Sequence, residues 1–114
     1  MASVRHPLAI GSDYDLTVTT SGDETLVVIR GDLDAHTALP IGQAFAAAMA
    51  SGTRFVRVDA SEVRFVDSTG LRLLYVTARA IRREGGEFWI EAASLPLRRI
   101  VEVSNLAPYV GLHL

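Results

Sequence analysis

Two hydroxyls and a carboxylate stand side by side in Asp67-Ser68-Thr69-Gly70, a tetrapeptide that separates a strand-like run from a helix-like one. Before it, Arg54-Phe55-Val56-Arg57-Val58-Asp59 has the alternating β-branched and aromatic content of a strand. After it, Leu71, Leu74, Ala78 and Ile81 fall on one face at helical spacing. The first turn of a helix leaves N–H groups unpaired and carries the positive end of the helix dipole, so a hydroxyl there is well placed to bear a phosphate. Asp, Ser and Thr are also ordinary N-caps, and the turn taken alone reads first as a cap.

The other candidate groups are fewer. Arg72 lies four residues beyond Ser68 on the same side of the helix, where it either clamps a phosphate or an acidic partner or is simply a solvated arginine. Arg72, Val76, Arg79 and Arg83 make one outward stripe, and the apolar valine within it suggests a contact face. Asp34 and Asp67 each follow a strand entering the same edge of the sheet and are expected to lie close together. They read either as polar contacts for a partner or as turn caps. His6, His36 and His113 show no ligand spacing, so no metal site is expected. No motif supplies a base for Ser68, and no glycine-rich phosphate loop is present. The chain is therefore not expected to be an enzyme or to need a cofactor.

The elements that position these residues can be read in order. At 114 residues with 49% hydrophobic content, the chain is long enough for one domain with a sizeable core. It has no cysteine, which removes disulfides and Cys-ligated metals and fits a cytoplasmic protein. All 11 basic residues are arginine, so Schiff-base chemistry is excluded. A net charge of −2 argues against nucleic acid and anionic membranes as direct partners. No run approaches the roughly 20 apolar residues of a membrane span.

Residues 1–13 are expected to form a flexible tail, and 14–114 the domain. Strands at 14–19 and 25–30 flank the turn Ser21-Gly22-Asp23-Glu24 and form a hairpin. A helix is expected over 37–50, with Pro40 in its first turn and Ile41, Phe45 and Ala48 or Met49 facing inward. Then come the strand at 54–59, a helix over 70–83, a strand at 87–92 carrying Trp89, a helix over 96–103 and a last short strand at 109–113. Asn105 suits a left-handed C-cap. The order β-β-α-β-α-β-α-β implies a single α/β domain with a mostly parallel mixed sheet, an N-terminal hairpin and helices packed on it. The Trp89 strand is expected to be internal.

Three segments carry a family resemblance. Gly31-Asp32-Leu33-Asp34-Ala35-His36-Thr37-Ala38 resembles the segment after the second strand of STAS domains. Phe65-Val66-Asp67-Ser68-Thr69-Gly70-Leu71 resembles their phosphorylation turn, and the stretch from Ser94 through Asn105 to Leu106 resembles their third helix and its exit. The match is best with the bacterial anti-sigma factor antagonists and runs from about Tyr14 to Leu112. Arg72 departs from their pattern, in which a glycine is frequent at that place.

The resemblance implies a binding module switched by one phosphate. Ser68 matches the phosphoacceptor, with Thr69 a weaker candidate. Asp34, Asp67, Thr69, Gly70, Arg72 and Val76 are the expected partner-binding positions. The implied partners are an anti-sigma factor with serine kinase activity, which the unphosphorylated chain sequesters to free a sigma factor, and a metal-dependent Ser/Thr phosphatase that resets the switch. The alternative is a STAS scaffold subunit that is not switched, as in a stress-signalling or lipid-transport complex. The family usually continues into a further C-terminal helix, whereas this sequence stops at Leu114. A sheet face left exposed by that difference would favour a weak homodimer.

Overall fold

A computed structural model describes residues 2–6, by their backbone pairing, and residues 14–112 in full. Five strands make one sheet: β1 Ala2–His6, β2 Tyr14–Ser21, β3 Glu24–Leu33, β4 Phe55–Val66 and β5 Glu87–Ala93. Their spatial order is their sequence order. The pairs β1/β2 and β2/β3 are antiparallel, whereas β3/β4 and β4/β5 are parallel. Three helices complete the domain: α1 Ala38–Ala50, α2 Ser68–Arg83 and α3 Leu95–Val103, with a 3-10 turn at Ala107–Tyr109. Each parallel pair is joined through a helix, as a crossover between parallel strands requires.

The alternation in the strands buries one face. Val27 and Ile29 of β3, Val56 and Val58 of β4, and Phe88 and Ile90 of β5 are closed to solvent. Against them α1 sets Ile41, Ala44, Phe45 and Ala48, and α2 sets Leu71, Leu74, Ala78 and Ile81. Leu97 and Val101 of α3 join the same core. The rings of Phe45 and Phe88 lie with centroids 6.0 Å apart and tilted by 58°, tying α1 to β5. Such a pair adds about 1 kcal/mol beyond its buried area.

Three expectations are corrected. The tail expected over residues 1–13 is a strand over Ala2–His6, which covers the otherwise unpaired edge of β2; residues 7–13 lie outside the described residues. Within the domain expected from residue 14 the mixed sheet is mostly parallel, as expected, with β2/β3 as its antiparallel hairpin, and β1 adds a further antiparallel pairing. The last short strand is reduced to the 3-10 turn and a single parallel bridge from Leu112 to Ile90, because Pro108 and the left-handed Gly111 (φ 66°) bend the chain there. His113 lies outside the described residues. Lastly β5 is at the sheet edge, not internal, and Trp89 is half-buried.

The parallel register sets the two candidate loops beside each other. Leu33 pairs with Val66, so β3 and β4 end level and deliver the Asp34 loop and the Asp67 turn to one place. Gly70 makes this approach possible. A Cβ on it would lie 2.0 Å from the carbonyl oxygen of Leu33, with backbone rather than a pliant side chain in the way. Gly42 offers a contrast, since a Cβ there meets only the tip of Leu73 at 3.2 Å. Gly70→Ala is expected to destabilise the fold by about 1–3 kcal/mol. Gly42→Ala, in a helix interior, is expected to be neutral or stabilising by up to about 1 kcal/mol. Urea unfolding of both variants checks the pair.

Candidate functional site

Asp67 is the N-cap of α2, with extended backbone (φ −110°, ψ −177°). Its two carboxylate oxygens are both engaged. Gly70 N–H donates to Oδ1 at 2.9 Å, and Ala35 N–H donates to Oδ2 at 3.2 Å. The backbone N–H of Asp67 in turn donates to the Leu33 carbonyl at 3.3 Å. Asp67 therefore caps its own helix and latches the neighbouring loop, so of its two sequence readings the capping one is realised in this geometry.

Asp34 holds that neighbouring loop together. Its Oδ1 accepts from His36 N–H at 2.9 Å and Thr37 N–H at 3.1 Å, while Thr37 Oγ1 accepts from Asp34 N–H at 3.0 Å and donates to the Asp32 carbonyl at 2.8 Å. The residue is only 8% exposed. The structure thus brings the Asp34 and Asp67 loops together, as expected, but through backbone groups rather than as a pair of open acids. Gly70 is buried beneath the same turn.

What remains on the surface is Ser68, Thr69, Arg72 and Val76, with Ser68, Thr69, Arg72 and Val76 all open to solvent. The helix starts with Leu71 N–H donating to the Asp67 carbonyl, and Gly70 N–H goes to the Asp67 side chain. The N–H groups of Ser68 and Thr69 have no partner among the described residues. Two open donors and the positive end of a 16-residue helix therefore lie in the same turn as the Ser68 hydroxyl. Ser68, Thr69, Leu71, Arg72, Tyr75 and Leu106 line one open cleft of about 460 Å³. Arg72 has no carboxylate partner among the described residues. An anion on Ser68 would find helix N–H groups and a free guanidinium in reach of one cleft.

The surface has members that the sequence did not single out. Leu39 in the first turn of α1 and Phe65 near the end of β4 are exposed large apolar side chains flanking the two loops. Phe65 stands two places beyond Val63 on β4, where an unbroken strand alternation would put both on one face. Only Val63 is buried, because the register with β3 shifts between the two: Val63 pairs with Gly31 and Phe65 with the next residue, Asp32, so the alternation breaks and Phe65 is turned out to solvent. No helix of the described residues is long and apolar enough to cross a membrane.

Known proteins resemble this chain in sequence and fold. A family model described as "Mlab, STAS domain" matches residues 16–111. An anti-sigma-B factor antagonist of Staphylococcus aureus is 28% identical over 94 residues, which is 82% of this chain and 87% of that protein. The crystal structure of an anti-sigma factor antagonist from Mycobacterium paratuberculosis superposes with a TM-score of 0.78 at 26% identity, covering 88% of this chain and 85% of that one. The anti-sigma factor antagonist SpoIIAA in its unphosphorylated form shares the fold, with a TM-score of 0.72 at 20% identity over 82% of this chain and 84% of its own. With the family match running from β2 to just beyond the 3-10 turn, through both loops and all of α2, the chain belongs to the STAS domain family.

Proposed function

We propose that this chain is an anti-sigma factor antagonist whose binding is switched by a phosphate on Ser68. The observation that carries this reading is the exposed Ser68 hydroxyl at the start of α2, beside two N–H groups and an Arg72 guanidinium that have no partner among the described residues. The names of the related proteins, two of them antagonists at more than a quarter identity, support the partner class. Unphosphorylated, the chain binds an anti-sigma factor with serine kinase activity, and a sigma factor is released. That kinase transfers phosphate to Ser68 and the complex ends. A metal-dependent Ser/Thr phosphatase restores the first state. Thr69, equally exposed, is the neighbouring hydroxyl to be tested against it.

The physical step is a change of charge without a change of fold. Phosphate adds about −1.5 to −2 charges and three acceptor oxygens. Within the chain these are welcomed by the helix terminus. Across an interface they must lose water against the partner, which is costly for an unpaired charge. Repulsion from an acid of the partner or of this turn at roughly 7 Å adds about 1 kcal/mol per unit charge at an intermediate dielectric. Asp34 and Gly70 are enclosed, so they shape the surface, whereas Ser68, Thr69, Arg72 and Val76 meet the partner directly.

A second reading is an unswitched STAS scaffold subunit. The matching family model favours it to the extent that its description names Mlab rather than the antagonists. Both readings describe a binding module rather than an enzyme, and they part on Ser68 alone.

Incubation with the cognate kinase and ATP is expected to add one phosphate to the wild type and none to Ser68→Ala, read by intact-mass spectrometry. Phosphate persisting on the alanine variant moves the site to Thr69 or elsewhere. Ser68→Asp is expected to bind the kinase more weakly than wild type, and Ser68→Ala about as well, by calorimetric titration. The melting point of the aspartate variant should hold or rise, because an acid at a helix N-terminus contributes about 0.3–1 kcal/mol. Equal affinities for all three proteins sink the switch and favour the scaffold. Asp67→Ala serves as the contrasting case, a cap loss that lowers stability by about 1 kcal/mol.

A further inference from the structure

The 16 residues of α2 include Arg72, Arg79, Arg82 and Arg83 and no acidic residue, in a chain of net charge −2. The described ion pairs use arginines of the strands instead. Arg30 pairs with Asp15 and Glu62, Arg57 with Glu24 and Glu91, and Arg64 with Asp32. Arg72, Arg79 and Arg83 have no carboxylate partner among the described residues. The helix dipole accounts for Arg82 and Arg83, which sit in the last turn. It does not account for Arg79, and it opposes Arg72 near the positive end.

These cations border a groove. Tyr75, Arg79, Arg82, Arg83 and Tyr109 line about 410 Å³ between α2 and the 3-10 turn. Arg82 is fixed in its wall, its guanidinium donating to the carbonyls of Tyr109 and Phe88. The rings of Tyr75 and Tyr109 meet edge-on with centroids 6.1 Å apart. An aromatic floor and one cation are thus held in place, while Arg79 and Arg83 stand exposed on the rim. Tyr75 also lines the cleft of Ser68 and Arg72, so the two clefts form one track along the helix. From Ser68 to Arg83 the helix rises by roughly 22 Å, the span of about six or seven extended residues.

We infer that this track docks a short acidic segment of a partner protein. Its carboxylates pair with Arg72, Arg79 and Arg83, and its apolar or aromatic side chains pack on Tyr75 and Tyr109. Exposed Glu84 and Glu87 follow Arg83 and cut off the basic track, which suits a short peptide better than a long polyanion. In placing one end of the segment at Ser68, the inference rests on Ser68 being the switch; the charge and shape of the groove do not depend on it. A phosphate on Ser68 would draw Arg72 to itself and compete with the segment at that end.

The test is an NMR titration of the isotope-labelled full chain with a short acetylated peptide of alternating glutamate and leucine. The comparators are the lysine–leucine counterpart, a single-stranded DNA oligonucleotide and phosphatidylglycerol vesicles. Amide shifts at residues 72–83 and 106–110 are expected with the glutamate peptide alone. Arg79→Glu combined with Arg83→Glu should weaken that binding about tenfold or more at low salt. Should the double reversal lower the melting point, Arg79→Gln repeats the measurement with a smaller loss expected. Absence of shifts at those residues, unchanged affinity in these variants, or equal or tighter binding by DNA or vesicles overturns the inference. A chain that binds the peptide on this track but takes no phosphate on Ser68 supports the groove and overturns only the Ser68 switch.

Discussion

The contact of Gly70 with the carbonyl of Leu33 sets the position of everything else at the site. A backbone that close leaves no room for a side chain, so the start of α2 has one seat against the end of β3. Asp67 fastens that seat from both sides, donating its N–H to Leu33 and accepting from Gly70 and Ala35. Because main-chain groups and one carboxylate do the fastening, Ser68 and Thr69 are left with nothing structural to do. Their surroundings are already in place before any modification, and binding need not order them.

Charge is sorted across the molecule in a way that fits this division. The strands carry acids and arginines in mutual pairs, with the acids in excess among the described residues, three arginines against five carboxylates, so their paired face is net negative. α2 carries arginines without a carboxylate partner among the described residues from its second turn to its last. The phosphate proposed for Ser68 and the acidic partner segment proposed for the groove would draw on the same guanidinium, that of Arg72. A switch of this kind works by competition on a rigid surface rather than by a change of fold.

Much of the frame was legible in the chain because periodicity reports burial directly. Leu71, Leu74, Ala78 and Ile81 face the core as their spacing requires, and Asn105 takes the left-handed backbone (φ 57°) that its place after a helix suggested. The neighbourhood of Asp34 and Asp67 followed from their both ending strands of one sheet. Other features were hidden because they depend on partners remote in sequence. The polar run Asp59-Ala60-Ser61-Glu62 resembles a turn, yet β4 continues through it with a register shift at Asp59, whose carboxylate accepts from Ser61 N–H at 3.0 Å. The pairing of Ala2–His6 is fixed by the open edge of β2, and the edge position of β5 by a strand order that element order alone does not set. Whether Asp67 faces a partner or the protein itself was undecidable without knowing that Ala35 N–H lies within its reach.

The double engagement of Asp67 also limits the atoms that can stand there. Its two oxygens receive N–H groups from different segments, one from Gly70 and one from Ala35. Asparagine has the same shape but a single acceptor. Whichever way its amide turned, an NH2 would point at an N–H, and one of the two links would become a clash of donors. The position thus requires symmetry of acceptors rather than size or polarity, and the neighbouring hydroxyl can vary in chemistry more freely than the acid that presents it.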